Sequence, residues 1–290
     1  MTQSCYNSAM YTDFEPGQPI GIFDSGVGGL SVLRALRQVL PGEDILYVGD
    51  QAHIPYGPRS QGEIQQFSVG ITRFLLKKGA KLILVACNTA SAAALHFLRE
   101  KFQSIAIVGM EPAVKPAAQA SHTGKVGVLA TSTTFAGDPY TTLVERFARG
   151  VDLYQSTCPG LVEQVEAGEL ATPTTRAILE ESLSPMLGVG VDTIVLGCTH
   201  YPFAVPLIRE IVGPAVNIID PAPAVARQVR RVLSTQDLCN AQDEGGSKFF
   251  TSGGTVQMIA QIKALIGEAG DISPVYWETD LILRLGSKPV

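Results

Sequence analysis

Leu82-Ile83-Leu84-Val85-Ala86-Cys87-Asn88-Thr89 and Thr193-Ile194-Val195-Leu196-Gly197-Cys198-Thr199-His200 set out one pattern twice. Each is a short apolar run, then a cysteine, then two polar residues. Each is followed by a helical stretch and a second apolar run, and each second run ends on an acidic residue and proline: Glu111-Pro112 in the first copy, Asp220-Pro221 in the second. Apolar runs of four to six residues bounded by small polar residues read as strands buried on both faces. Strands alternating with helices read as a mostly parallel sheet with helices on both sides.

Working outward, the same rhythm fills the chain. Strands are expected over 20–24, 45–50, 82–86, 105–109, 126–130, 151–156, 193–196, 216–220 and 248–251. Helices are expected between them, for example over 30–40, 64–78, 90–102 and 175–187. A further parallel sets Val128-Leu129-Ala130-Thr131-Ser132 against Phe249-Phe250-Thr251-Ser252-Gly253. The duplication implies an α/β protein of two pseudo-symmetric domains, with the acidic-Pro pairs as crossovers. One domain takes 19–110 plus 221–290 and the other 111–220, after a polar N-terminal extension over 1–18. Ligands of such folds bind outside the carboxyl ends of the strands, which here means the interdomain cleft.

Composition narrows the function. Hydrophobic residues make up 46% of 290 residues and charged ones 17%, enough apolar material for a core. The net charge of -5 carries no basic field, so a nucleic-acid partner is not expected. No apolar run has the length of a membrane span, and the N-terminus lacks a signal-peptide pattern. Five widely spaced cysteines, an odd number, argue for reduced thiols and a cytoplasmic location. There is no C-x-x-C pair, and a metal site has little support.

The matched cysteines carry the chemical argument. A thiol at the start of a helix meets the positive end of the helix dipole, which favours the thiolate, and the free N–H groups there can hold a carboxylate. A single such cysteine is as readily a buried core residue; two at matched positions of a duplicated unit favour function. Inverting a carbon centre by proton transfer needs a base on one face and an acid on the other. Two pseudo-symmetric halves closing on one ligand supply both. Asp24-Ser25-Gly26-Val27-Gly28-Gly29 follows the first strand, and its glycines permit close backbone approach. It does not complete the G-x-G-x-x-G nucleotide fingerprint. Asp24 can serve a thiol, an ammonium or its own turn, and His200 can be a proton partner of Cys198. His53, Pro55, Tyr56 and Gly57 occupy a turn-rich loop of the kind that carries ligand contacts.

Asp24-Ser25-Gly-Val-Gly-Gly, Pro55-Tyr56-Gly57, Ala86-Cys87-Asn88-Thr89-Ala90 and Gly197-Cys198-Thr199-His200-Tyr201-Pro202, in that order, resemble the glutamate racemases of the aspartate/glutamate racemase superfamily. The resemblance runs over nearly the whole chain. It implies racemisation of L- and D-glutamate without pyridoxal phosphate, metal or nucleotide, with Cys87 and Cys198 as the two catalytic thiols, Cys198 serving L-glutamate and Cys87 D-glutamate. It implies that Asp24 and His200 assist them. It puts Ser25, Tyr56, Gly57, Asn88, Thr89 and Thr199 at substrate-contacting positions, Thr131 and Thr134 near them, and Glu166 where it orients His200. It further implies a cytoplasmic role in supplying D-glutamate for peptidoglycan and cell shape, a homodimer, and activation by a cell-wall nucleotide precursor. Racemisation of aspartate or another amino acid, and non-enzymatic amino-acid binding, remain alternatives.

Overall fold

The computed structural model describes residues 14–268 and 270–286. Most of the expected N-terminal extension, Cys5 included, lies outside that range. The strands are β1 (Ile20–Asp24), β2 (Ile45–Gly49), β3 (Leu82–Val85), β4 (Ala106–Gly109), β5 (Lys125–Ala130), β6 (Asp152–Ser156), β7 (Thr193–Gly197), β8 (Asn217–Ile219), β9 (Ser247–Thr251), β10 (Asp271–Trp277) and β11 (Leu283–Leu285). The helices are α1 (Leu30–Val39), α2 (Gln61–Lys77), α3 (Asn88–Lys101), α4 (Val114–Ala120), α5 (Ser132–Ala136), α6 (Asp138–Phe147), α7 (Leu161–Ala167), α8 (Pro173–Gly188), α9 (Val205–Val212), α10 (Ala222–Thr235) and α11 (Thr255–Ile266).

The strands form two sheets. One has seven strands in the order β11-β10-β9-β2-β1-β3-β4, and the other four in the order β6-β5-β7-β8. All neighbours are parallel except β10 and β11. This is the two-unit, mostly parallel α/β arrangement that the repeated pattern implies. β1, β2, β3 and β7 are buried along their whole length, which is why they read as continuous apolar runs rather than alternating ones. Separate apolar layers cover the two faces of the large sheet. One contains Ile20, Leu33, Leu84 and Val229, the other Phe23, Leu75, Ile83 and Leu98.

The differences from expectation are instructive. Helix α2 starts at Gln61 rather than 64, because Ser60 and Glu63 make a reciprocal capping box. β10 and β11 were not anticipated. β10 contains Pro274, which removes a donor from a ladder and weighs against a strand, and β11 has three residues. The parallel between Val128–Ser132 and Phe249–Gly253 does not mark equivalent places. β5 lies beside the Cys198 strand, and the strand beside the Cys87 strand is β1. β9 lies instead between β2 and β10. Local likeness in those ten residues reflects a shared strand-to-turn chemistry, not the duplication.

The described start of the extension is packed. Phe14 lies against both apolar layers. The Pro16 carbonyl takes a hydrogen bond from the Lys81 ammonium, which is buried and paired with Glu43 at 2.6 Å. That pair pins the amino ends of the large sheet, opposite the end where Cys87 emerges.

Candidate active site

Parallel strands in register deliver their following residues to one level. Asp24 pairs with Gly49 across β1 and β2, and Phe23 with Val85 across β1 and β3. Asp24-Ser25, Asp50-Gln51 and Cys87 therefore leave the sheet together. In the small sheet Ala130 pairs with Gly197, so Thr131 and Cys198 leave together. The two sets meet. Cys87 and Cys198 line one cavity of about 300 Å³, with Ser25, Tyr56, Gly57, Asn88, Thr89, Thr131, Thr199 and His200. Asp24, Thr134 and Glu166 stand one layer behind that wall. Asp24 accepts from the Thr199 hydroxyl at 3.2 Å, Thr134 Oγ1 is 3.0 Å from Thr131 Oγ1, and Glu166 is 2.8 Å from His200.

The two thiols are not placed alike. Cys87 is the N-cap of α3, and its sulfur accepts the Ala90 N–H at 3.4 Å. Cys198 leads into a 3₁₀ turn over Tyr201–Ala204, not directly into an α-helix. Expectation fails again for Cys87: burial, with the neighbouring Asp24 charge, pushes its thiol well above the ordinary value, and the helix-start N–H offsets only part of that. Desolvation of a charge outweighs one amide dipole.

Around Cys198 the groups are ionic. His200 Nδ1 is 3.8 Å from its sulfur, and Nε2 is 2.8 Å from Glu166. Burial alone would lower the imidazole, but its bonds to Cys198 and Glu166 hold it well above the ordinary value. Burial would raise Glu166, yet the His200 contact and the Val27 N–H keep it low. Both shifts favour the pair as imidazolium and carboxylate. Asp24 is raised by complete burial, against the pull of His200.

The glycines after Asp24 serve this packing. A Cβ on Gly26 would lie 2.1 Å from Glu166 Oε1, and one on Gly28 would lie 2.4 Å from His200 Nδ1. Close approach is needed here, and it is to the other unit of the protein. Further bonds tie the units at the cavity rim: Thr89 Oγ1 lies 2.9 Å from Thr131 Oγ1, the Thr133 hydroxyl donates to Gly57 O, and the Ser31 hydroxyl donates to Thr199 O.

Asn88 is buried, and neither its amide nitrogen nor its oxygen has a protein partner. A buried amide lacking both bonds costs free energy unless a ligand supplies them. His53 and Tyr56 instead turn to Asp50, whose carboxylate also accepts from Trp277 Nε1 and Ser252.

The wall also contains Thr157, Cys158, Gly160 and Glu163, which are not among the candidate site residues above, and Tyr201 of the Cys198 motif. Cys158 has φ 43° and Gly160 φ 88°, a tight loop whose only sequence signal is Cys-Pro-Gly. Burial pushes the Cys158 thiol up to about 11. A larger cleft contains Thr134 and shares Asn88 with the cavity, but contains neither Cys87 nor Cys198. Among the described residues no cluster of three or more His, Cys, Asp or Glu could hold a metal ion, and no helix is long and apolar enough to cross a membrane.

Comparison with known proteins identifies the family. The Asp/Glu/Hydantoin racemase family profile matches residues 20–229. The glutamate racemase of Ectopseudomonas mendocina is 48% identical over 254 residues, covering 88% of this chain and 97% of that protein. Among solved structures, glutamate racemase isoform RacE1 from Bacillus anthracis superposes with a TM-score of 0.83 at 30% identity, covering 92% of this chain and all of that one. Escherichia coli glutamate racemase, in complex with L-glutamate and the activator UDP-MurNAc-ala, gives 0.78 at 31% identity, covering 89% and 98%. The chain belongs to the Asp/Glu/hydantoin racemase family and groups within it with the glutamate racemases, isomerases of the amino-acid racemase class.

Proposed function

We propose that this protein interconverts L- and D-glutamate by a cofactor-independent, two-thiol mechanism. One observation carries the reading: Cys87 and Cys198 arrive from different sheets and line the same small cavity. One thiolate removes the α-proton, and the opposite thiol protonates the other face of the planar carbanion. By analogy with the family, Cys198 acts on L-glutamate and Cys87 on D-glutamate. His200, held by Glu166, exchanges the proton of Cys198. Asp24 holds Thr199 in place behind the cavity.

A volume of about 300 Å³ is at the small end for ligand sites, and suits one free amino acid. Ser25, the unpaired amide of Asn88, and Thr89, Thr131 and Thr199 supply neutral hydrogen-bonding groups for its charged ends; Tyr56 and Gly57 close the rim, with Thr134 supporting Thr131. A thiol held above its ordinary value is a stronger base once ionised, which narrows the gap to a weakly acidic α-C–H.

The reading extends to context. It places the enzyme in the cytoplasm, as a homodimer, making D-glutamate for peptidoglycan. It divides the chain into one domain of 19–110 plus 221–290 and another of 111–220. It also includes a nucleotide-precursor activator, as in the Escherichia coli complex. The larger cleft offers Arg59, Arg99, Lys115, Arg146, Arg227 and Arg231 to an anionic ligand.

The test is α-hydrogen exchange in heavy water with L-glutamate, D-glutamate and L-aspartate. Glutamate of either hand should lose its rotation and gain α-deuterium, and aspartate should not. Folded protein that exchanges neither glutamate overturns the activity. Faster exchange of aspartate overturns the substrate.

A further inference from the structure

Glu166 sits on α7 of the small unit, yet most of its partners belong to the large one. Oε1 accepts the Val27 N–H at 2.7 Å and faces His200 Nε2 at 2.8 Å. Oε2 accepts from Gln51 Nε2 at 3.1 Å and from Gln261 Nε2 at 3.3 Å, and Gln261 Nε2 donates to the Glu166 carbonyl at 2.6 Å. The two amides also bond to each other, Gln51 Nε2 to Gln261 Oε1 at 2.8 Å, while Gln51 Oε1 accepts the Thr251 hydroxyl at 2.8 Å. Every oxygen and nitrogen of the pair has its own partner, so the orientation of both amides is fixed. Gln51 follows β2, Gln261 lies on α11, and neither lines the cavity.

A carboxylate facing a histidine can draw the shared proton to itself, leaving a neutral pair. Additional neutral donors on the carboxylate oppose that transfer, because they stabilise its charged form. Amides do so at any pH, since they do not titrate. We propose that Gln51 and Gln261 are positioning residues for proton transfer at Cys198: they keep Glu166 anionic and hold the His200 ring with Nε2 toward Glu166 and Nδ1 toward the sulfur. This rests on the reading in which Cys198 and His200 move the α-proton. Because both amides come from the large unit and Glu166 from the small one, the ionic state beside Cys198 depends on the two units being docked. The other titratable groups facing this centre are Asp24 after β1, Tyr47 on β2 and Cys198 after β7, with Cys87 after β3, Cys158 before α7 and Tyr201 facing Cys198 beyond them. All remain in the variants below.

The experiment compares wild type with Gln261→Met, Gln51→Met and Gln261→Glu, each checked by thermal melting. Methionine keeps the length and removes the donors; glutamate adds a negative charge beside Glu166. The readouts are kcat and KM for L-glutamate from about pH 6 to about pH 10, and ¹⁵N NMR titration of the histidine rings, His200 being assigned by its loss in His200→Asn. Either methionine variant should lower kcat roughly tenfold with KM within about twofold. It should also move the His200 titration down by about one pH unit. Gln261→Glu should move that titration up. A purely structural role gives no such opposite shifts. Folded methionine variants with an unmoved His200 titration and wild-type kcat overturn the proposal. Failure of the wild type to exchange glutamate's α-hydrogen overturns the parent reading instead, and the NMR titration still decides the role of the amides.

Discussion

Cys87 and Cys198 leave matching strands of a duplicated pattern, and the molecule gives them different company. Cys87 has a helix start, the Ser25 hydroxyl at 3.9 Å and the buried Asp24 charge. Cys198 has the His200 imidazole, braced by the Glu166 carboxyl group. One thiol is held up by burial and a neighbouring carboxyl group against the pull of the helix start; the other has an imidazole beside it. Duplication supplies the two-sided geometry, while chemistry at each side was settled separately. A racemase requires only that the two faces be served, not that they be served by the same means.

The comparison is most directly tested by replacing each sulfur. Cys87→Ser and Cys198→Ser should each lower kcat/KM by about 10³-fold, within the range of a lost general acid or base. The loss is the same in both directions, because the equilibrium constant of a racemisation is one and ties the two values together. The sidedness shows instead in the primary isotope effect with α-deuterated substrate. It should be larger from D-glutamate in Cys87→Ser and larger from L-glutamate in Cys198→Ser. Equal isotope effects in both variants would mean that neither thiol owns a face.

A smaller effect separates the two sides without touching a sulfur. In Gly28→Ala the new methyl carbon would lie 2.4 Å from His200 Nδ1 and 2.6 Å from Thr199 Oγ1, both beside Cys198. The ring must move, and kcat should fall on the order of 10²-fold with the isotope pattern of the Cys198 variant. Gly62→Ala is the control: it lies on α2 away from the cavity, its methyl carbon meets nothing within 4 Å, and activity should stay near wild type. A Gly28→Ala enzyme with the isotope pattern of Cys87→Ser would break the assignment of His200 to Cys198.

These contrasts also mark what the sequence could disclose. The strands carrying both cysteines were legible because they are buried on both faces and so are uniformly apolar. The cavity residues within two places of those cysteines came with them. Gln51 and Gln261 did not. A glutamine on α11 reads as a solvated helix position, and its partners Gln51 and Glu166 are distant in sequence. The inequality of the thiols was hidden for a related reason. A helix-start cysteine reads the same whether solvated or buried, and burial decides the sign of the shift. Asn88 was legible as a contact position, but that both its amide atoms stand unpaired appears only once the chain is folded.

The gentlest test uses the other end of the Cys198 strand. Asp192 precedes β7 and accepts from the Ser121 hydroxyl at 2.6 Å and from the N–H groups of His122 and Thr123 at 2.7 and 2.8 Å. Desolvation would raise its carboxyl, but these donors hold it at about 2. A depressed carboxyl stabilises the fold above its unfolded value near pH 4, and the contribution fades as pH falls toward 2. Asp192→Asn should therefore lower Tm by about 1–2 °C near neutral pH, a small effect because the group is only partly buried and solvent screens it. The gap should close between about pH 4 and pH 2, with kcat unchanged at pH 7. If Asp192→Asn changes the isotope effect, the amino end of β7 is coupled to the thiol at its carboxyl end, and the separation of stability from chemistry along that strand fails.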